Sequence, residues 1–483
     1  MELKELVKAG VIAGVLCVGV PAGAFLLYWR PVFQRWAFGL LCFLTIGGLI
    51  APNDLGLTLH SIETYRGHVR GFHFYLYEAV LLSLLGALLL KHRVKFVWFP
   101  RGLWLYLLFC AGAAISVINA PDKILVAMSV WKYGKLGLVL VVAYNYFQRE
   151  EDLFFFTRVM AWVMLWELLV VLKMRYGDGI YRVAGTFEHQ NSLVMFSNMV
   201  AMVFLALGLD PQGKHRRLYL GAFAGCAIIT LLTVSRAGAA FFVLGTLILI
   251  GGFTLARPSI RTAALSGLLL VALLFGGLKA MDTFLGRVRA EGTESREDLR
   301  AVMNRISWKM AKDHPLGIGW NNWVLAVTPP NEYSADMAQW QMEAGHRVRD
   351  DSSYALVESH WFLILSENGF HSLIIFGVFL ASFLWQGLRS VMYFKGTHIG
   401  SLISGVTVGC LVNYLESFFE HVLAQPRNAL LWFIFLAVTA RLDWWRRRRV
   451  LDRHSILENP ANTRGRTTLE LPPKMLSPSP IRP

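Results

Sequence analysis

Arginines in short or polar segments between apolar runs are the residues of this sequence best suited to chemistry. Arg236 lies in TVSRAGAAFF, with apolar residues on both sides, and Arg182 precedes the glycine of RVAGTFEHQN. Arg296 and Arg300 belong to SREDLRAVMNRISWKMAKDHP. A guanidinium group binds phosphate oxygens in a bidentate manner and keeps its charge when partly buried. These residues therefore predict a site for an anionic ligand that carries phosphate.

His360 and Glu367 occur together in VESHWFLILSENGF and point to a different chemistry. A histidine can act as a general base near neutral pH. Glu367 follows seven residues later, about two helical turns, and so lies on the same side of a helix. Asn191 in FEHQNS fits both a helix N-cap and a ligand for sugar hydroxyls. The sequence thus offers a proton acceptor beside polar groups that could bind a sugar.

Each of these residues also has a simpler interpretation. An arginine beside an apolar run can extend to the lipid headgroups, which applies to Arg236. A helical arginine such as Arg296 or Arg300 can pair with a nearby glutamate, and an interfacial His360 can make a single hydrogen bond. The set His314, His346, Asp350, Asp351 and His360 matches no metal-binding spacing, so no metal and no other cofactor is expected.

The composition decides which elements must position these residues. The chain has 483 residues, of which 55% are hydrophobic and 16% charged, whereas soluble domains carry about 25% charged residues. Apolar runs of about 17–25 residues, the length of a transmembrane helix, recur along the chain. The net charge of +15 then reflects basic cytoplasmic loops rather than a nucleic-acid partner. The composition therefore excludes a string of soluble domains.

We predict an all-α, polytopic integral membrane protein with about 13 transmembrane helices. With this number of spans, the short basic loops all fall on one side, which the positive-inside rule makes the cytoplasm. Arg182, Arg236, Arg296 and Arg300 fall on the opposite side. The predicted spans are 9–29, 32–51, 72–90, 102–118, 124–147, 153–173, 191–209, 218–234, 237–256, 260–281, 361–386, 399–418 and 428–440.

The pattern of spans divides the chain into four parts. Residues 1–281 form an N-terminal transmembrane bundle, 282–360 an extracytoplasmic loop or cap, 361–440 the C-terminal transmembrane helices, and 441–483 a basic, disordered cytoplasmic tail. The cap, between spans 10 and 11, is predicted to contain an amphipathic helix that ends at His314-Pro315. Its apolar face consists of Leu299, Val302, Met303, Ile306 and Met310.

Three blocks of this sequence, in this order, resemble the O-antigen ligase and polymerase superfamily of bacterial membrane proteins. RVAGTFEHQN is similar to its Arg-x-x-Gly-Thr-Phe-x-His-x-Asn segment, and LLTVSRAGAAFFVLG to its Ser-Arg-Gly turn. The cap resembles the family's Arg-containing helix, its His-Pro-x-Gly-x-Gly turn and its His-x-x-x-Leu-x-x-x-Glu-x-Gly helix. The resemblance covers roughly residues 180–380.

The resemblance implies a GT-C-like membrane fold and a metal-independent glycosyltransferase in the bacterial inner membrane. The active site is then periplasmic, with His360, Arg236 and Arg296 as catalytic residues. Arg182, Arg300, Asn191 and Glu367 are assigned to substrate binding. The implied donor is a glycan on undecaprenyl diphosphate, and the acceptor is another lipid-linked unit or lipid A core. Membrane lipids, a flippase and a chain-length regulator are the other expected partners.

Three classes of function stay open at this point. We favour a polymerase of surface polysaccharide over a ligase because YRGHVRGFHFYLYEAVLL resembles a segment of exopolysaccharide-associated members. A transporter or flippase would place ionisable groups near mid-membrane, where this chain has Glu78, Lys132, Lys135 and Glu167. A non-catalytic membrane scaffold would have no need of arginines in tight outer turns.

Overall fold

The structure is a computed structural model that describes residues 3–46, 56–62, 64–91, 95–256, 294–331, 333–343, 356–421 and 425–458, together with residue 267. It is 76% helix and 2% strand, as the predicted all-α class requires. The predicted span 260–281 and parts of the cap and of the tail lie outside the described residues.

Helices fill most of the N-terminal half. They are α1 (Leu3–Gly14), α2 (Val20–Trp29), α3 (Pro31–Phe43), α4 (Leu76–Leu89), α5 (Leu103–Ile115), α6 (Lys123–Tyr146), α7 (Glu150–Leu172), α8 (Gln190–Leu209), α9 (Arg216–Leu232) and α10 (Arg236–Ala256). A π-helical turn, Val15–Gly19, joins α1 to α2, and another, Lys173–Gly177, extends α7. A 3-10 turn, Ser116–Ile118, follows α5.

The C-terminal half has three short or amphipathic helices and then three long ones. The first three are α11 (Glu294–Asp313), α12 (Trp323–Ala326) and α13 (Ser334–Glu343). The long helices are α14 (His360–Tyr393), α15 (His398–Glu416) and α16 (Pro426–Glu458). Helix α11 ends directly before His314-Pro315, as predicted.

The chain is a multi-pass membrane protein. Within the described residues, seven helices are long and apolar enough to cross a membrane: Leu3–Trp29, Lys123–Tyr146, Glu150–Gly177, Gln190–Leu209, Arg236–Leu255, His360–Tyr393 and His398–Glu416. Leu76–Leu89 and Leu103–Ile118 are shorter apolar helices. Every predicted span other than 260–281 overlaps a helix, although residues 47–51 of the predicted span 32–51 lie outside the described residues. The total of 13 spans stays a prediction.

A small antiparallel hairpin was not predicted. Strands β1 (Gly56–Leu59) and β2 (Phe72–Tyr75) pair with Gly56 opposite Tyr75 and Leu59 opposite Phe72. The predicted span 72–90 therefore begins as a strand and becomes helical at residue 76. The hairpin matters because it holds the intervening loop against α6, where Trp131 Nε1 donates to the carbonyl oxygen of His73 over 3.1 Å.

Two apolar cores hold the elements together. The larger core surrounds α8, whose apolar stretch is completely buried and packs on α9 and α15. The smaller core forms where α11 meets the loop after β1 and the start of α14, and it contains Tyr65, Trp323 and Leu363. The predicted apolar face of α11 is confirmed, since Val302, Met303, Ile306 and Met310 are buried there and Leu299 packs against them.

The predicted disordered tail begins at 441, but α16 continues through Glu458. The helical conformation has a local cause, because Asp443 is buried and pairs with Arg446 and Arg447 one turn later, at 2.6 and 3.0 Å. Arg101, two residues before α5, approaches the same carboxylate at 3.4 Å. Residues 441–458 are thus helical rather than disordered, and residues 459–483 lie outside the described part.

Candidate functional site

A glycine-rich turn packs directly on the first half of α14. The backbone N–H of Gly319 donates to the carbonyl oxygen of Glu367 over 3.1 Å. A Cβ at Gly317, whose φ is +90°, would lie 2.3 Å from that same carbonyl. Helix α14 breaks at Gly369, with φ +81°, and a Cβ there would lie 2.3 Å from the carbonyl oxygen of Pro315. The glycines of PLGIG and of ENG are therefore two halves of one close contact.

The residues after this turn bind Glu367 and the loop between the two strands. Glu367 is 1% exposed, and its Oε1 accepts from the backbone N–H of Trp323 over 3.1 Å. The amide of Asn321 donates to the carbonyl oxygen of Val69 over 2.7 Å and accepts from its N–H over 3.3 Å. Tyr65 donates its hydroxyl proton to the carbonyl oxygen of Asn321. Segment 65–69 is thereby fixed beside Glu367.

Asn322 holds the start of α6 in the same place. Its amide donates to the carbonyl oxygen of Asp122 over 3.1 Å, and its side-chain oxygen accepts from the Asp122 N–H over 3.0 Å. Asn119 donates to the carbonyl oxygen of Gly317 over 3.0 Å. Since α6 begins at residue 123, these bonds also determine where Lys132 lies.

His360 is the first residue of α14 and is 3% exposed. The hydroxyl oxygen of Ser359 caps the helix by accepting from the N–H of Phe362 over 3.5 Å. The backbone N–H of His360 donates to the carbonyl oxygen of Ser417 over 3.0 Å, and its ring lies edge-on to Phe376. Its Nδ1 has no hydrogen-bond partner among the described residues. The imidazole is thus buried and positioned, with a nitrogen left for a ligand.

His68 joins His360 and Glu367 in one buried group, which we call the histidine cluster (His68, Lys132, His360, Glu367 and His421). Nδ1 of His68 lies 4.0 Å from Oε2 of Glu367, and its carbonyl oxygen accepts from Nζ of Lys132 over 3.2 Å. Burial lowers the pKa of His68 well below its usual range, and Lys132, His421 and His360 lower it further. Burial is also the main cause that lowers the pKa of His421 to about 4. Both rings are therefore neutral at pH 7.

A second network brings Asn191 and Arg300 together. The amide of Asn191 donates to Glu420, whose carboxylate lies 3.6 Å from Arg300. Arg300 also pairs with Glu358, two residues before His360. Glu420 belongs to segment 417–421, which also carries Ser417 and His421. This segment therefore connects the second network to the histidine cluster.

Arg236 is the exposed first residue of α10, next to a contact between three helices. The predicted tight turn is confirmed, and Val234 adopts a left-handed conformation there, with φ +54°. Two residues further on, the carbonyl oxygen of Gly238 accepts from the amide of Asn198 over 3.0 Å, and this amide also donates to Glu416 over 3.2 Å. The turn is thus held against α8 and α15, but the contacts that define the histidine cluster do not include Arg236.

Arg182 lies in a loop that closes over a buried carboxylate. Glu167, in α7, accepts from the N–H and the hydroxyl of Thr186 over 2.8 and 2.9 Å. The buried Arg427, from the first turn of α16, donates to the carbonyl oxygen of Thr186. Gly185 has φ +58°, and a Cβ there would lie 1.9 Å from Oε1 of Glu167. Gly185 and Thr186 thus cover the carboxylate of Glu167, and Arg182 lies half-buried in the same loop.

Gly185→Ala is expected to destabilise the protein more than Gly179→Ala. Both glycines have positive φ, which costs a residue with a Cβ about 1–2 kcal/mol, but nothing lies within 4 Å of a Cβ at Gly179. At Gly185 the carboxylate of Glu167 must also move, which breaks two hydrogen bonds of about 1 kcal/mol each. The apparent Tm in detergent should fall about twice as far for Gly185→Ala. Equal shifts would contradict this account of the loop.

Arg296 lies in the first turn of α11, and its side chain lies outside the part of the chain that the structure describes. The predicted role of Arg296 therefore rests on the sequence alone. Among the described residues, no group of three or more histidine, cysteine, aspartate or glutamate side chains is arranged to hold a metal ion. His346, Asp350 and Asp351 fall outside those residues.

Sequence reasoning did not assign His68, His421, Asn321 or Arg427 to the site. The segment YRGHVRGF, which contains His68, resembles the family only as a whole, and the sequence predicts Lys132 only as an ionisable residue within a span. The sequence feature that could have identified His68 is its position between Arg66 and Arg70 in a glycine-containing loop on the predicted outer side. Asn321 acts through backbone pairing in the folded chain, which no sequence spacing reveals.

The comparison with known families was made against this geometry. Residues 221–377 match the family model described as O-antigen ligase, and the match supports the O-antigen ligase/polymerase superfamily that the sequence resembles. Members of this family are glycosyltransferase-like enzymes. The matched region contains Arg236, Arg296, Arg300, His360 and Glu367. A search of curated proteins finds no match.

Proposed function

We propose that this protein polymerises glycan repeat units carried on undecaprenyl diphosphate, on the periplasmic face of the bacterial inner membrane. The observation that carries the proposal is the histidine cluster, in which His68 contacts Glu367 and Lys132 and the buried His360 lies close enough to affect the pKa of His68. Perturbed, buried ionisable groups gathered in one place are typical of an active site. The product would be a surface polysaccharide, as exopolysaccharide or O-antigen.

The proposed reaction is an inverting glycosyl transfer. An acceptor hydroxyl oxygen attacks the anomeric carbon and loses its proton to His360, while the bond from that carbon to the diphosphate oxygen breaks. The electron pair leaves with the diphosphate. Fixed positive groups that face the leaving oxygens lower the barrier, and we assign this task to Arg236 and Arg296. No metal ion is needed for this assignment.

The remaining predicted residues fit substrate binding on either side of His360. Asn191 and Arg300, joined through Glu420, present hydrogen-bond donors and acceptors suited to sugar hydroxyls. Arg182 lies in the loop above Glu167, near the outer end of α8. Glu367 positions His68 and the glycine-rich turn. The apolar helices supply a surface for the long polyprenyl chain.

The distribution of charge supports the proposed periplasmic location. Basic residues at the other ends of the helices, such as Arg101 and the Arg446–Arg449 run, mark the cytoplasmic side. A flippase that delivers the donor and a chain-length regulator are the partners that a periplasmic polymerase would need. The outer histidine cluster then faces a donor that has already crossed the membrane.

A deletion strain tests the proposal through its surface polysaccharide on a gel. A ladder that collapses to a single repeat unit supports the polymerase. Free polymer that accumulates on the lipid carrier instead supports the alternative favoured by the family's description, an O-antigen ligase that transfers polymer to lipid A core. An unchanged profile contradicts both. Accumulation of the lipid-linked unit on the cytoplasmic side would instead indicate a transporter or flippase.

Arg236→Lys is expected to lower product formation by roughly 10-fold or more, because lysine cannot make the bidentate contact with phosphate oxygens. The matched control is Arg175→Lys, since Arg175 is half-buried and donates to the carbonyl oxygen of Tyr181 over 2.6 Å. Polymer is measured in the complemented deletion strain, with the amount of each variant in the membrane. Wild-type polymer from Arg236→Lys would contradict the diphosphate assignment.

A further inference from the structure

A cleft lies beside the histidine cluster, between the hairpin, α6 and the start of α16. Two of its lining residues, His68 and Lys132, also belong to the cluster. The residues that line the cleft include His68, Tyr75, Tyr77, Trp131, Lys132 and Lys135. The proposed reaction gives no role to the part of the cleft beyond His68.

Aromatic rings form one wall of the cleft. His73 and Tyr75 are stacked with their ring centres 5.4 Å apart, and Tyr75 and Tyr77 repeat this distance. Alternate residues of a strand point to the same face, so β2 presents the first two rings and the first turn of α4 the third. Stacked rings with polar tips offer an apolar surface for the C–H face of a sugar and hydrogen bonds at its edge.

Positive charge forms the opposite wall. Lys132 and Lys135 lie nine and twelve residues after the start of α6, about 14 and 18 Å along the helix. Ionisable groups this far inside an apolar helix usually mark a functional site. Lys135 pairs with Glu78 at 2.5 Å, whereas the residues that line the cleft include no aspartate or glutamate. The lining of the cleft therefore carries two lysines and no carboxylate, while Glu78 contacts Lys135 and Glu367 contacts His68.

His68 connects this cleft to the chemistry. Its side chain is 4% exposed, and neither ring nitrogen has a hydrogen-bond partner within the described part of the chain. It lines the cleft on one side and lies 4.0 Å from Glu367 on the other. A buried polar side chain without a partner is costly unless a ligand completes its hydrogen bonds.

We propose that this cleft binds a sugar of the acceptor glycan that carries a carboxylate, as a uronic acid does. This inference rests on the proposed function and adds the substrate class. The sugar ring would pack against the edges of the stacked rings at Tyr75 and Tyr77, its carboxylate would face Lys132, and a hydroxyl would meet His68. Phosphate would satisfy the lysines equally well, but a bare diphosphate has no use for the aromatic wall. The donor diphosphate is assigned to the arginines instead.

Binding to the purified full-length protein in detergent tests this inference. The probes are a tetrasaccharide containing glucuronic acid and the same tetrasaccharide with its carboxyl groups reduced to alcohols. We expect the acidic probe to bind about 10-fold more tightly, the effect of one favourable charge contact. Lys132→Gln should remove this preference, while Lys123→Gln, an exposed position at the start of the same helix, should retain it. Tyr75→Ala should weaken both probes.

Two outcomes would overturn the inference. One is equal affinity of the wild-type protein for the two probes, and the other is displacement of the acidic tetrasaccharide by inorganic pyrophosphate, which would identify the cleft as a diphosphate site. Because binding needs no turnover, the result is independent of the gel. If the gel supports the polymerase but the protein binds both probes equally, only the inference is overturned. If the protein prefers the acidic probe but the deletion strain has an unchanged polysaccharide profile, only the proposed function is overturned.

Discussion

His360→Ala is expected to abolish surface polymer while the protein still inserts into the membrane. Proton transfer by a positioned general base contributes roughly 10²–10⁴-fold to a rate, and a loss of that size leaves no visible ladder. The residue is held for this task by the bond from its backbone N–H to the carbonyl oxygen of Ser417 and by the edge-on contact of its ring with Phe376. The measurement is a gel of polysaccharide from the complemented deletion strain, with membrane insertion checked by immunoblot.

His371→Gln is the matched control for this variant. His371 lies eleven residues later in the same helix, where its Nε2 is 2.8 Å from the carbonyl oxygen of Gly112 in α5. A glutamine amide can keep that contact, so polymer should persist. Full polymer from His360→Ala would remove His360 from the mechanism. Loss of polymer in both variants, with lower protein in the membrane, would assign the effect to folding.

The helices were the most predictable part of the molecule. Hydropathy alone located α6, α7, α8 and α10 to within a few residues, because a helix that crosses the bilayer must be apolar over its length, whether it faces lipid or other helices. The amphipathic face of α11 was equally clear from its helical spacing. The pattern of apolar residues is sufficient to predict a helix where all the residues that form it are contiguous in the sequence.

The hairpin and the extension of α16 were not predictable in the same way. Residues 72–75 are apolar enough to extend the following helix, and only pairing with 56–59 makes them a strand. Residues after 441 are strongly basic, which favours disorder in isolation. The buried Asp443, reached by Arg101 from another helix, offsets that repulsion. Both differences arise from partners distant in the sequence.

The sequence predicted the kinds of residue in the candidate site, but not all of the individual residues that form it. His360 and Glu367 were identified from seven-residue spacing, and the structure joins Glu367 to the same cluster. The break at Gly369 was not foreseen, and it is what allows the glycine-rich turn to contact the backbone of Glu367. His68 lies nearly 300 residues before Glu367 in the sequence, so its place in the cluster depends wholly on the tertiary structure.

Glu367 is the second position where a large effect is expected, and two substitutions separate its two tasks. Glu367→Gln keeps an oxygen that can accept from the N–H of Trp323 but removes the carboxyl beside His68. We expect normal thermal stability and a loss of transfer of roughly 10-fold, which corresponds to about 1.4 kcal/mol, because the 4.0 Å contact of the carboxylate with the His68 ring is lost. Glu367→Ala also leaves the buried N–H of Trp323 without its acceptor, which costs about 1–3 kcal/mol, so the apparent Tm should fall as well.

Paired measurements of polymer and thermal stability decide between these tasks, with the exposed Glu188→Gln as control. If Glu367 only anchored the glycine-rich turn, Glu367→Gln would retain both activity and stability, because the bond to Trp323 survives. If it also positions His68, activity falls in Glu367→Gln without a change in Tm, and His68→Ala adds little further loss, since the two act as one unit. Additive losses in the double variant would show that His68 and Glu367 contribute separately, and the 4.0 Å contact between them would then carry no function.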